Sequence, residues 1–183
     1  DQERKAAGYA FEHTLFSSGE RFAKVLPTLK FRLTHSESYK CPLTFTDEPQ
    51  TADGSEALDV TVKMNSSKKT YFIYDEESGL YKIRQYAKDF VDGNTGEQVG
   101  VKNVLVLYTK YSKMTGTANR LVADMSGGKG VYICAGRMIN ITWKRSDSAG
   151  LRLYKSDGSA LDLAVGHSFI CCADSSSGGV SVK

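Results

Sequence analysis

The chain has 183 residues, 40% of them apolar, with 24 Lys plus Arg against 21 Asp plus Glu and a net charge of +3. That length suits one domain with a well-formed core, or one domain plus an appendage, and so small a charge gives no argument for a nucleic-acid surface. No stretch approaches the roughly 18 to 20 apolar residues of a membrane span, and Asp1 opens a polar decapeptide with none of the apolar core of a secretory leader, so the chain as given is expected to be a soluble mature product or an excised fragment.

Residues 1–10 (DQERKAAGYA) read as a flexible lead. Ser17-Ser18-Gly19-Glu20 fits a capping box, Ser17 accepting a backbone N–H while Glu20 reaches back, so a helix is expected to follow. Phe22, Val25, Leu26 and Leu29 then fall on one apolar stripe, and Pro27 is expected to stop or kink the helix near Leu26. Phe31 to Asp53 has loop character.

From Leu58 the period changes to two. Leu58, Val60, Val62 and Met64 are expected to face a core, and Thr70–Tyr74 and Leu80–Tyr86 complete a meander. Within Val101–Tyr111, the run Val104-Leu105-Val106-Leu107 is apolar on both faces, the mark of a central strand covered on both sides. Short strand patterns follow at Leu121–Met125, Val131–Ala135, Met138–Lys144, Leu151–Lys155, Leu161–Leu163 and Ser168–Ala173, separated by Gly and Ser-Asp-Gly turns. Such spacing belongs to antiparallel sheets. Residues 174–183 read as a flexible Ser/Gly tail. The expected fold is α+β, mainly antiparallel β-sheet with one N-terminal helix packed on it, residues 11–173 forming a single domain.

The motifs His13–Glu20 (HTLFSSGE), Phe45–Pro49 (FTDEP), Tyr74–Gly79 (YDEESG), Asp92–Glu97 (DGNTGE), Val101–Val104 (VKNV), the Gly128–Gly130 run and Gly136–Lys144 ending in Thr-Trp-Lys together resemble the YerB-like family of bacterial cell-envelope lipoproteins. The resemblance runs from about His13 to Ala173. It implies an exported protein, lipid-anchored at full length on the extracellular side of a bacterial membrane, with an upstream domain before a region like this one. The family brings no catalytic residues to carry over.

Several motifs tempt a chemical reading. Gly127-Gly128-Lys129-Gly130 lacks the GxxxxGK[ST] of a phosphate loop and is expected to be a tight hairpin. The fragment Lys129–Tyr132 lacks the paired aromatics of an RNA-stacking sheet. Asp92–Glu97 is rich in oxygen ligands, but an EF-hand needs Glu at its twelfth position, where this chain has Asn103, so a hairpin turn is the better account. Asp75, Glu76 and Glu77 read as a solvated turn. His167, Phe169 and Cys171 share a face at about 7 Å spacing, which leaves a Cys–His pair open. The four cysteines, Cys41, Cys134, Cys171 and Cys172, contain no CxxC and are expected to be mostly buried free thiols, with a disulfide to Cys41 as the alternative. No metal or cofactor is expected.

The binding candidates are His13, Asp47 and Glu48, in loops, and Arg137, Trp143 and Lys144, which if exposed would join an aromatic plane to cationic donors for a sugar or an acidic polymer. Alternation with Ile139 and Ile141 points Trp143 inward. The expected function is a non-enzymatic envelope domain for binding or assembly, partnered by cell-wall polymer, an envelope protein or the upstream domain, and touching membrane only through a lipid anchor. The alternative is a hydrolase or transferase acting on cell-wall glycan or peptide, its site around His13, Asp47 and Glu48 completed by that domain.

Overall fold

The computed structural model describes residues 2–117 and 119–183; Asp1, the first residue of the expected lead, lies outside them. The chain divides into two units, residues 1–40 and 41–183.

In the first unit, α1 spans Gln2–Ala6 and α2 spans Gly19–Val25, with 3-10 turns at Phe11–His13 and Leu26–Thr28. The cap of α2 is Ser18, whose hydroxyl accepts the Arg21 N–H at 3.3 Å; the expected box at Ser17 is one residue early. Pro27 removes an N–H donor, and the chain tightens into the 3-10 turn where the helix was expected to stop. In place of the expected single N-terminal helix, the first unit has two short helices and two turns, and α2 buries none of its residues.

The second unit is built from β1 (Phe45–Thr46), β2 (Ser55–Glu56), β3 (Asp59–Lys63), β4 (Lys69–Asp75), β5 (Leu80–Gln85), β6 (Lys88–Asp89), β7 (Gly100–Val101) and β8 (Asn103–Thr109). It continues through β9 (Tyr111–Lys113), β10 (Leu121–Ala123), β11 (Gly127–Cys134), β12 (Arg137–Ser146), β13 (Gly150–Lys155), β14 (Leu163–Ala164), β15 (Ser168–Asp174) and β16 (Gly179–Val182). One six-stranded sheet has the order β13-β12-β11-β8-β15 with β2 beside β12, a second has β16-β3-β4-β5-β6 with β7 beside β5, and two-stranded ladders join β1 to β14 and β9 to β10. Pairing is mainly antiparallel, as expected, but β15 runs parallel to β8 and β14 parallel to β1. The expected flexible tail instead caps a turn at Asp174 and pairs as β16 with β3, Val180 opposite Val62.

Strand β8 explains the architecture. Val104, Leu105, Val106 and Leu107 are all 0% exposed because each face meets a different core. Val104 and Val106 join Val131, Ile133 and Cys171 against Val60, Val62, Phe72, Tyr81 and Ile83 of the second sheet. Leu105 and Leu107 join Tyr132, Ile141, Trp143 and Leu153 under the segment Leu161–Ala164. Leu58, expected inward, is exposed just before β3 begins.

The second core holds a buried polar cluster. Asn103 donates from Nδ2 to the Ala164 carbonyl (2.8 Å), while its Oδ1 accepts from the Tyr132 hydroxyl (2.7 Å) and the Ala164 N–H (3.1 Å). A buried amide costs free energy unless its partners are present. Here the same bonds fasten the 161–164 segment over the sheet.

The run Gly127–Gly130 is not the hairpin turn but the start of β11. Trp143 lies across from Gly128 in register, and a Cβ on Gly128 would come 3.3 Å from the indole nitrogen and 2.7 Å from the Tyr108 carbonyl oxygen. Glycine is what lets the indole and the Tyr108 carbonyl approach the strand this closely. The turn joining β11 to β12 is Ala135-Gly136, both with positive φ, the two-residue geometry that matches strand twist.

Candidate functional site

An open groove of about 420 Å³ is lined by Gln50, Ala52, Asp53, Ile139, Asn140, Lys155, Ser156 and Asp157. Three pieces of chain build it. The 50–54 loop is tied down by Thr51, whose hydroxyl donates to the Cys134 carbonyl (2.9 Å), and by a turn in which the Gly54 N–H meets the Thr51 carbonyl (2.8 Å). Gly54 abuts the Met138 carbonyl so closely that a Cβ would clash with it.

Asn140 is presented by β12, and the Ser156 hydroxyl donates to its carbonyl at 3.2 Å, joining that strand to the end of β13. Gln50 is held by a reciprocal pair with Asp162: its Nε2 donates to Oδ2 and its Oε1 accepts the Asp162 N–H, both at 3.2 Å. The Thr44 hydroxyl donates to the other oxygen of that carboxylate. The groove therefore offers amides, a hydroxyl, an ammonium and two carboxylates on a braced wall. That set suits a hydrophilic ligand with both donors and acceptors.

The sequence candidates fall in both units, His13 in the first and the other five in the second. His13 is exposed in the 3-10 turn of the first unit, its N–H bonded to the Ala10 carbonyl (2.8 Å). Asp47 and Glu48 are exposed just before the groove loop, where the Glu48 N–H donates to the Thr46 hydroxyl (3.3 Å). Arg137 reaches the groove loop, donating from Nη1 to the Gly54 carbonyl at 2.9 Å, which makes it a clamp on that loop.

Trp143 corrects the idea of an exposed aromatic plane. It is 1% exposed, and its indole N–H donates to the Lys129 carbonyl (3.1 Å). Lys144 is next in the strand, points to the opposite face, and lies across from Arg152. Gln50, Asp53, Asn140 and Lys155 were not singled out from sequence. They come from three separated segments, and only the Ser-Asp-Gly turn after Lys155 carried a local signal.

The buried titratable groups are held away from neutral chemistry. Burial pushes the Cys171 thiol up to about 12, and raises Cys134 and the hydroxyls of Tyr81 and Tyr132. His167 is exposed while Cys171 is shut in the inter-sheet core, so alternation does not yield an activated pair. All four cysteines are free thiols, Cys41 exposed and Cys172 half-buried.

The turn carboxylates shift the other way. Hydrogen bonds from the residues that follow them lower Asp75, Asp92, Asp124, Asp157 and Asp174 below their usual range. Asp92 accepts from the N–H groups of Asn94 and Thr95 (2.8 and 2.9 Å), so the segment weighed as a calcium loop is an Asp-capped turn. Among the described residues no cluster of three or more His, Cys, Asp or Glu is placed to hold a metal.

A two-sheet β domain with a braced polar groove is the class that these observations define. Residues 60–170, from β3 to β15, match the family described as protein of unknown function (DUF3048), C-terminal domain, and the chain belongs to that family. The crystal structure of YerB protein from Bacillus subtilis has the same fold, with a TM-score of 0.63 and 22% identity over 76% of this chain. This chain spans 46% of that one, about half its length. No curated protein matches it.

Proposed function

We propose that residues 41–183 are a non-enzymatic binding module on the extracellular side of a bacterial envelope, and that the braced groove receives a hydrophilic segment of cell-wall glycan or peptide. In a longer polypeptide of the YerB type, an upstream domain and a lipid anchor would hold it near the wall. The observation that carries this reading is the groove itself, where two amides, a hydroxyl, an ammonium and two carboxylates stand on a wall braced by the Thr51, Ser156 and Gln50–Asp162 hydrogen bonds. A site rich in paired donors and acceptors on fixed backbone suits recognition of a polar chain.

The test is co-sedimentation of the chain with purified cell-wall sacculi, alongside Asn140→Ala and Lys155→Ala. Pelleting that either substitution weakens supports the groove as the contact. Pelleting indifferent to both would move the contact elsewhere, and release of soluble wall fragments would replace the binding reading with the hydrolase one.

A further inference from the structure

From Arg21 to Ser36 the chain has four cations, Arg21, Lys24, Lys30 and Arg32, and no acidic residue. Interleaved with them are Phe22, Val25, Leu26, Leu29, Phe31 and Leu33, every one exposed, Phe31 at 69% and Leu33 at 57%. Isolated exposed apolar residues on a protein surface need no explanation, but a continuous series of them does. Neither α2 nor the 3-10 turn after it buries a single residue.

We infer that residues 21–33 are a peripheral membrane-binding segment that lays its apolar side chains into the headgroup boundary of an anionic bilayer. Basic residues beside Phe and Leu on a short amphipathic element are the chemistry of interfacial attachment. The broken backbone, a seven-residue helix followed by a 3-10 turn and an irregular stretch, fits the hydrated interface. It would not suit the hydrocarbon core, where unpaired backbone groups go unsatisfied. No helix among the described residues is long and apolar enough to cross a membrane, so attachment here means lying on the surface.

Charge argues against a second copy as the occupant. A two-fold contact through this segment would set cations against cations, with no carboxylate between Glu20 and Glu37 to offset them. An anionic leaflet attracts each such cation. The inference concerns only the first unit and stands or falls independently of the groove.

The experiment is flotation of the whole chain with vesicles containing phosphatidylglycerol, and with vesicles of phosphatidylcholine alone, in low and high salt. The segment predicts binding to the anionic vesicles only, lost in high salt. Arg21→Glu with Lys24→Glu is expected to lower the bound fraction by roughly tenfold or more, each cation near an anionic surface being worth about 1 kcal/mol. Phe22→Ser with Leu29→Ser is expected to abolish flotation, while near-ultraviolet circular dichroism of the buried Trp143 reports an intact second unit. Absence of flotation with anionic vesicles would overturn the inference. So would flotation that survives the charge reversal, or self-association in solution that the Phe22 and Leu29 substitutions remove.

Discussion

The two units use apolar side chains in opposite ways. Among the described residues, the first forty carry as many exposed large apolar side chains as all the rest of the chain, and the one buried residue there is a threonine, Thr14. In residues 41–183 the same residue types fill two cores on either side of β8. Apolar content is therefore no guide to burial here. What separates the regions is period: strict alternation finds a partner sheet, whereas the stripe on α2 lies on an element of seven residues, ended by Pro27.

The sharpest way to break the comparison is to empty a core position and its exposed counterpart. Trp143→Ala is expected to cost about 3–5 kcal/mol, read as a large fall in the urea midpoint, whereas Phe22→Ala in α2 is expected to stay within about 0.5 kcal/mol. Equal effects would mean that the first unit has a core of its own. Asn103→Leu comes next: it strips partners from the Tyr132 hydroxyl and the Ala164 backbone, at a cost on the order of 2–3 kcal/mol. Near-wild-type stability in that variant would make the cluster incidental.

Smaller effects sharpen the account of the second unit. Tyr86 and Ala87 form the two-residue turn between β5 and β6 with φ of 51° and 59°, without glycine or asparagine. Ala87→Gly is expected to raise stability by about 1 kcal/mol, because the left-handed region penalises a Cβ; a lower melting temperature would contradict this. The Asp-capped turns set the acid limb. Each shifted carboxyl lies lower in the folded chain than in the unfolded one, so the turns contribute fully above about pH 4 and lose their contribution as the pH falls through and below that range. Acid titration should show stability falling in that window, and Asp174→Asn should flatten part of the fall. In native protein a thiol reagent should label Cys41 readily and leave Cys134 and Cys171 untouched until denaturant is added.

Most strands were legible because β3, β4, β5 and β8 alternate or run continuously apolar, signals that depend only on neighbouring residues. The parallel pairing of β15 with β8 was not, since register between Phe169 and Val104 is settled across a long intervening chain. Nor was β16: Gly179-Val180-Ser181-Val182 is too short and glycine-rich to read as a strand until β3 offers it an edge. The Gly127–Gly130 run reads as a turn in the sequence because its reason for being glycine, the indole of Trp143, sits on the next strand. The groove was almost wholly hidden for the same reason: Gln50, Asn140 and Lys155 meet only after β12 and β13 have paired.

Hydrogen exchange of the whole chain in solution, followed by mass spectrometry, tests the contrast between the units most directly. The account predicts that amides of β8 and β11 open only with global unfolding, while those of residues 19–33 exchange at close to the rates of a free peptide. Protection across residues 19–33 comparable to that of β8 would contradict it.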